Sequence, residues 1–94
     1  MRELVATKAF TRQFKRIIGK NPKLIAALTT AFQQLQSDPF QPSLGTHKLK
    51  GKLNNRWASS AGYDLRIIFR FEVTENEAEA AIILLDVGKH DDVY

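Results

Sequence analysis

Cysteine is absent from this chain, which excludes disulfides and thiolate-bound metal. Only two histidines are present, a poor basis for a structural metal site when no cysteine accompanies them. No apolar run approaches the roughly 20 residues that a bilayer span needs; a run at 78–85 is short and is interrupted by Glu79. The opening Met1-Arg2-Glu3-Leu4 carries an acidic residue and no secretory hydrophobic segment. A cytoplasmic protein with no membrane partner is therefore expected. Internal repeats, low-complexity tracts and linkers are missing, and 94 residues make one domain, taken as 1–94. Several catalytic signatures are missing too: a glycine-rich phosphate loop, the helical zinc-protease motif, an EF-hand loop and a nucleophile elbow.

What is present is a moderate excess of positive charge. Fourteen basic residues against ten acidic ones give a net charge of +4, and 44% hydrophobic residues suffice for one core. The basic residues are grouped. Residues 1–20 hold Arg2, Lys8, Arg12, Lys15, Arg16 and Lys20 against Glu3 alone. Residues 46–56 hold His47, Lys48, Lys50, Lys52 and Arg56 with no carboxylate, while most acids lie in 72–79 and in the tail. Such clustering suits a polyanionic partner and equally suits two solvated faces.

The periodicity changes halfway along. Leu4-Val5-Ala6 fits a short strand, and Thr7 can cap the helix that follows. Phe10, Phe14, Ile17 and Ile18 recur at helical spacing as its buried stripe, with Arg12, Lys15 and Arg16 exposed. Gly19 is expected to end this helix in a left-handed conformation. Asn21-Pro22 is expected to open a second helix as cap and first helical residue, carrying Leu24, Ile25, Leu28, Ala31, Phe32 and Leu35 inward to about Gln36. The short turn predicts an antiparallel helical hairpin. Ser37-Asp38-Pro39 stops it, and Pro39, Pro42 and Gly45 mark a loop.

The second half reads as strands. Residues 47–53 alternate loosely, and 56–60 form a second candidate with a turn near Ala61-Gly62. Residues 64–72 alternate clearly, with Leu65, Ile67, Phe69 and Phe71 on one face and Asp64, Arg66, Ile68 and Arg70 on the other. Thr74-Glu75-Asn76-Glu77 is a polar hairpin loop, and 80–87 a central strand. The expected fold is α+β: an N-terminal helical hairpin packed on a mainly antiparallel, about four-stranded twisted sheet.

The chemistry-bearing residues gather at the end of the chain. A buried-strand pattern runs through Val87 and Gly88 into Lys89, His90, Asp91, Asp92, Val93 and Tyr94. Histidine is the side chain suited to proton transfer near neutrality. A terminal tyrosine has little packing reason to be there. If the strands at 64–72 and 80–87 are neighbours, Arg66, Asp64 and His90 converge on one anion-sized spot, and His47 reaches the same face.

These residues carry a family resemblance. The ending Val87-Gly88-Lys89-His90-Asp91-Asp92-Val93-Tyr94 resembles the terminal motif of RelE-type bacterial and archaeal toxins. Ala61-Gly62-Tyr63-Asp64-Leu65-Arg66-Ile67-Ile68-Phe69 and His47-Lys48-Leu49-Lys50-Gly51 do likewise, and the helical hairpin before the sheet matches. The resemblance covers essentially the whole chain and is closest to the YafQ-like branch of the RelE/ParE superfamily. It implies a toxin of a type II toxin–antitoxin system that cleaves mRNA on the ribosome. A ribose 2′-hydroxyl would attack the adjacent phosphate and expel the 5′-oxygen, with no metal and no cofactor. The implied partners are a cognate antitoxin in a toxin–antitoxin hetero-oligomer, mRNA and the ribosome.

Carried over by position, His47, Asp64, His90 and Tyr94 match site residues of the YafQ-like branch, and Arg66 falls near a phosphate-contacting arginine of RelE. The resemblance implies His90 as general acid, Asp64 or His47 as base or orienter, and Arg66 facing the phosphate. Tyr94 would stack on a base, and Lys48, Lys50, Lys52, Arg56 and Lys89 would hold the RNA backbone. There are departures. Ser60 stands where that branch has a further histidine and Asp86 where it has an arginine, while Asn55 and Trp57 align with RelE's catalytic lysines. Two alternatives follow: a non-catalytic ParE-like toxin binding DNA gyrase, or a degenerate toxin acting only as antitoxin partner. Blander roles compete for single residues. Asp64 can pair with Arg66 or Arg56, Arg66 and Arg70 can form a solvated face, His47 can be a loop residue, and Trp57 a core or antitoxin contact.

Overall fold

Thr7 joins the first strand to the first helix and both to the far end of the chain. In the computed structural model, which describes residues 1–51, 55–62, 64–73, 75 and 79–89, strand β1 (Leu4–Ala6) lies parallel to β5 (Ala81–Lys89), with Leu4 opposite Ile82 and Ala6 opposite Leu84. The Thr7 backbone N–H donates to the Leu84 carbonyl (3.1 Å), and its hydroxyl donates to the same oxygen (2.8 Å). That hydroxyl also accepts from the Phe10 N–H (3.2 Å), capping α1 (Lys8–Lys20).

Helix α1 buries Phe10 and half-buries Phe14, Ile17 and Ile18. Phe10, Phe14 and Phe32 meet with ring centroids 5.9–6.2 Å apart, which fixes α1 against α2 (Leu24–Ser37). The expected stop at Gly19 is corrected: Gly19 is helical, and the helix ends at Asn21, with φ −146°. The cause is Pro22, whose ring disfavours a helical conformation in the residue before it. The second boundary moves as well. Asn21 and Pro22 form a turn whose carbonyls accept from the Leu24 and Ile25 N–H groups, and α2 begins at Leu24 rather than at Pro22. Leu24, Leu28, Ala31 and Leu35 make its buried stripe.

The sheet has five strands in the order β1-β5-β4-β3-β2, with β2 at His47–Lys48, β3 at Trp57–Ser60 and β4 at Leu65–Glu72. It is mixed, antiparallel except where β1 meets β5, which corrects the expected count of about four. Strand β2 is also shorter than the 47–53 expected, because the chain turns at Gly51 (φ +71°) and Asn55 (φ +68°). Strand β5 is interior, as expected, and is flanked by β1 and β4. The hairpin-loop residues 74 and 76–77 lie outside the described residues.

Both helices cover one face of the sheet. There Leu28, Leu35 and Phe10 pack with Leu65, Ile67, Phe69, Ile82, Leu84 and Val87. On the opposite, open face Leu49, Ala58 and Ile68 form a small cluster with Leu85 against it. Buried Ser59 is partnered by the Thr46 hydroxyl at 2.6 Å. Arg2, grouped by sequence with a basic face, is structural instead. Its guanidinium donates to the Ala80 carbonyl (2.8 Å), pairs with Glu79 (3.7 Å) and lies 5.3 Å from the centre of the Phe71 ring.

Thr7→Ala removes a cap and a cross-chain hydrogen bond together. It should lower stability by about 1–2 kcal/mol in urea denaturation, with β1 detaching first in amide exchange.

Candidate active site

Arg66 stands on the open face near one end of the sheet because alternation along β4 turns Leu65 and Ile67 into the core. Its neighbour on β3 is Ser60 and its neighbour on β5 is Gly88. The Arg66 Nη1 donates to the Ser60 hydroxyl (3.4 Å) and to the Leu65 carbonyl (3.0 Å), so the guanidinium is steered while most of its five N–H donors stay uncommitted to these two groups. Gly88 puts no side chain on the other flank. Among the described residues Arg66 has no carboxylate partner.

The β3–β4 turn delivers Asp64 to the edge of this spot. Gly62 (φ +75°) and Asp64 (φ +63°) are both left-handed, a conformation aspartate tolerates better than most residues. The turn is closed by Leu65 N–H donating to Gly62 O (2.8 Å) and Ala61 N–H donating to Leu65 O (3.0 Å). Asp64 is exposed. Pairing of Asp64 with Arg66 or Arg56 is not seen, and the ion pairs among the described residues are Arg2–Glu79 and Arg70–Glu72.

His47 shares the open face but not the spot. It is exposed on β2 opposite Ala58, which lies opposite Ile68. Two strand spacings across and two residues along put its backbone roughly 12 Å from that of Arg66. Its Nδ1 is 3.1 Å from the Gly45 carbonyl; a carbonyl only accepts, so Nδ1 carries the proton and Nε2 is the basic nitrogen of the neutral ring. Lys89, exposed, ends β5 opposite Leu65. Lys48 follows His47 in a strand and so points to the other face, away from Arg66. Lys50 and Arg56 are exposed in the adjoining segments. His90, Tyr94 and Lys52 lie outside the described residues.

Ser60 was missed as a functional neighbour. Counting back from the Ala61-Gly62 turn pairs Ser60 with Arg66, so a hairpin register drawn from the sequence would have found it. Asp86 turns its carboxylate onto the Val87 N–H (2.9 Å) and leaves no cation where the resemblance has one. Among the described residues, no three His, Asp or Glu side chains gather around a metal-sized space, and no helix is long and apolar enough to cross a membrane. A cavity of about 570 Å³ lies on the other side of β5, between it and α1, walled by Ile17, Leu24, Leu65 and Val87 and rimmed by Arg16, Lys20 and Lys89, with Asp86 also in its lining. It does not include Arg66.

No protein-family model and no curated protein matches the chain. Solved structures do. A copper-bound mutant toxin from Helicobacter pylori is 22% identical, with all of both chains covered and a TM-score of 0.75. A YoeB/ParE toxin from Agrobacterium tumefaciens is 15% identical over 94% of this chain and 98% of that one, with a TM-score of 0.76. YafQ from E. coli is 14% identical over 100% and 99%, with a TM-score of 0.76. It has also been solved with DinJ as a toxin–antitoxin complex (15% identical, 99% and 97% covered, TM-score 0.73). The chain has the RelE/YafQ-like toxin fold, as the resemblance led one to expect.

If Asp64 serves chemistry rather than the turn, fold and function separate on substitution. Asp64→Gly should leave stability within about 1 kcal/mol in chemical denaturation, because glycine adopts positive φ freely. Any activity it loses then reports on the carboxylate.

Proposed function

From the toxin fold shared with YafQ, we propose that this chain is the toxin of a type II toxin–antitoxin pair and a metal-independent endoribonuclease that cleaves mRNA on the ribosome. The observation that carries the reading is Arg66, set on an open face between Ser60 and Gly88 with no carboxylate partner among the described residues. In-line attack by a ribose 2′-hydroxyl forms a P–O2′ bond, passes through a phosphorane and breaks the P–O5′ bond. The products are a 2′,3′-cyclic phosphate and a free 5′-hydroxyl. The developing charge needs a fixed cation, the 2′-hydroxyl needs a base and the 5′-oxygen needs a proton.

Arg66 supplies the cation. Asp64, at the turn beside it, takes or orients the 2′-hydroxyl proton, and His90, next after Lys89, returns one to the 5′-oxygen. His47, some 12 Å off by strand geometry, acts in binding or as orienter. Tyr94 stacks on a base, and Lys50, Lys52, Arg56 and Lys89 hold phosphates. The separation of His47 from Arg66 favours one competing reading, a non-catalytic toxin that binds DNA gyrase, since a binder needs no acid–base geometry.

The partner is an antitoxin with an acidic, partly apolar segment. It covers the α1 face, where Arg12, Lys15 and Arg16 are exposed, and enters the cavity rimmed by Arg16, Lys20 and Lys89.

Expression of the chain should arrest growth with loss of intact mRNA while plasmid supercoiling stays normal; early loss of supercoiling with intact mRNA selects the gyrase reading. Arg66→Ala should slow cleavage about 10²–10³-fold, the range for removing one preorganised stabiliser of transition-state charge, and His90→Ala should relieve growth arrest with circular dichroism unchanged. Arg16→Glu with Lys20→Glu should weaken binding of the neighbour-encoded antitoxin at least about tenfold by calorimetry.

A further inference from the structure

Beyond the open face, a second feature of the surface combines rings with cations. A cavity of about 410 Å³ is lined by Lys48, Asn55, Trp57, Arg70 and Phe71. It lies at the sheet edge, where β2 has ended and β4 continues past β3. Its rings are held rigidly. Trp57 and Phe71 meet edge to face at 5.7 Å, and Phe40 packs on both, at 5.3 Å and 5.8 Å. Phe71 is further held by Phe69 at 5.4 Å and by the Arg2 guanidinium at 5.3 Å. Phe40 is nevertheless 52% exposed, so the cluster leaves aromatic surface in water.

We propose that this cavity is a nucleotide subsite, which takes one base of single-stranded RNA against Trp57 and Phe71 and its phosphate on Lys48, with Arg70 lining the cavity from the open-face side. The choice of RNA rests on the ribonuclease reading of the open face. Among the described residues no carboxylate lines the cavity and Lys48 has no ion-pair partner. Among the described residues Arg70 is held by Glu72 at 3.4 Å, with both side chains about half exposed, a pair weak enough for a phosphate to replace. An acidic peptide would satisfy the two cations and leave the rings unused, whereas a nucleotide brings an anion and a π-face together. Rings already fixed by one another lose little freedom on stacking.

The subsite is continuous with the candidate active site. His47 and Lys48 are consecutive residues of β2, so one faces the open side and the other this cavity. Strand β2 is two residues long and forms the sheet edge. An RNA strand crossing that edge therefore passes from one surface to the other within a nucleotide or two. Trp57, which by sequence reads as core or antitoxin contact, is half-buried and lines the cavity.

Trp57 is the sole tryptophan, which makes the test direct. The full chain is titrated with a short 2′-O-methyl oligoribonucleotide, which lacks the attacking hydroxyl, and tryptophan fluorescence and oligonucleotide anisotropy are read together. Saturable quenching that tracks anisotropy and weakens with salt is expected. Phe71→Leu and Arg70→Glu should each raise the half-saturation concentration about tenfold. Arg70 is an exposed position whose substitution spares the core, and thermal melts check both variants. Anisotropy binding without quenching, or unchanged affinity in both variants, overturns the subsite; quenching by poly-glutamate as strong as by RNA overturns the assignment of RNA. Cleavage of ribosome-bound mRNA in a translation extract is followed in parallel. Cleavage without quenching removes the subsite and leaves the nuclease reading intact, and quenching without cleavage does the reverse.

Discussion

The pairing of β4 with β5 carries a one-residue irregularity on which the rest of the sheet depends. Phe69 faces Leu84, but Ile68 faces Asp86, so Leu85 is an extra residue on the β5 side. Strict alternation from Ile82 and Leu84 would put Asp86 into the core beneath α1. A buried, unpaired carboxylate is among the costliest things a core can hold. The bulge shifts the phase by one, so that Val87 is buried while Asp86 is only half-buried and bonds the adjacent backbone. The same shift puts Gly88 beside Arg66. Had the register continued unbroken, a side chain other than glycine's would flank the guanidinium, and the anion spot would be narrower.

A second consequence follows from the parity of the strands. Each residue of a strand serves one face, and this small sheet uses three surfaces: the helix-covered core, the open face and the edge beyond β2. Leu65, Ile67 and Phe69 hold the core while Arg66 and Arg70, interleaved with them, remain half-exposed. Stability and function thus occupy the same strand without sharing side chains. Substitutions at Arg66 therefore test chemistry with little effect on packing, and substitutions at Ile67 do the opposite.

How much of this was legible in the sequence depends on the range of the interaction involved. The stripes of α1 and α2 were legible because helix contacts repeat within a few residues, and so was Thr7 as a cap. Both helix boundaries around Pro22 were displaced, because proline acts on the residue before it more strongly than glycine invites a stop. The parallel partner of β1 was not legible: Leu4 meets Ile82, and three residues carry too little pattern to name a partner so distant. The bulge at Leu85 was hidden for a different reason. A run of apolar residues such as 80–85 has no alternation from which a phase slip can be read. At the site, Arg66 and Asp64 were legible from alternation and resemblance, while the distance of His47 from Arg66 required knowing that β3 lies between their strands.

The openness of the Arg66 face bears on how such a site could work. In water a unit charge a few ångströms from an anion is worth only ~1 kcal/mol, and several times more where solvent is displaced. Arg66 is half-exposed on the sheet face opposite the helices, with buried Gly88 beside it. No lid from the described residues covers it. Among the described residues, Ser60 and Leu65 give the guanidinium a direction, and none supplies a low-dielectric surround. A macromolecular surface laid over the face would exclude water and raise the value of the same charge toward the phosphorane. On the proposed reading, RNA held against the sheet by the ribosome supplies that surface. On that reading, activity should be weak against free RNA and strong where the substrate is already held.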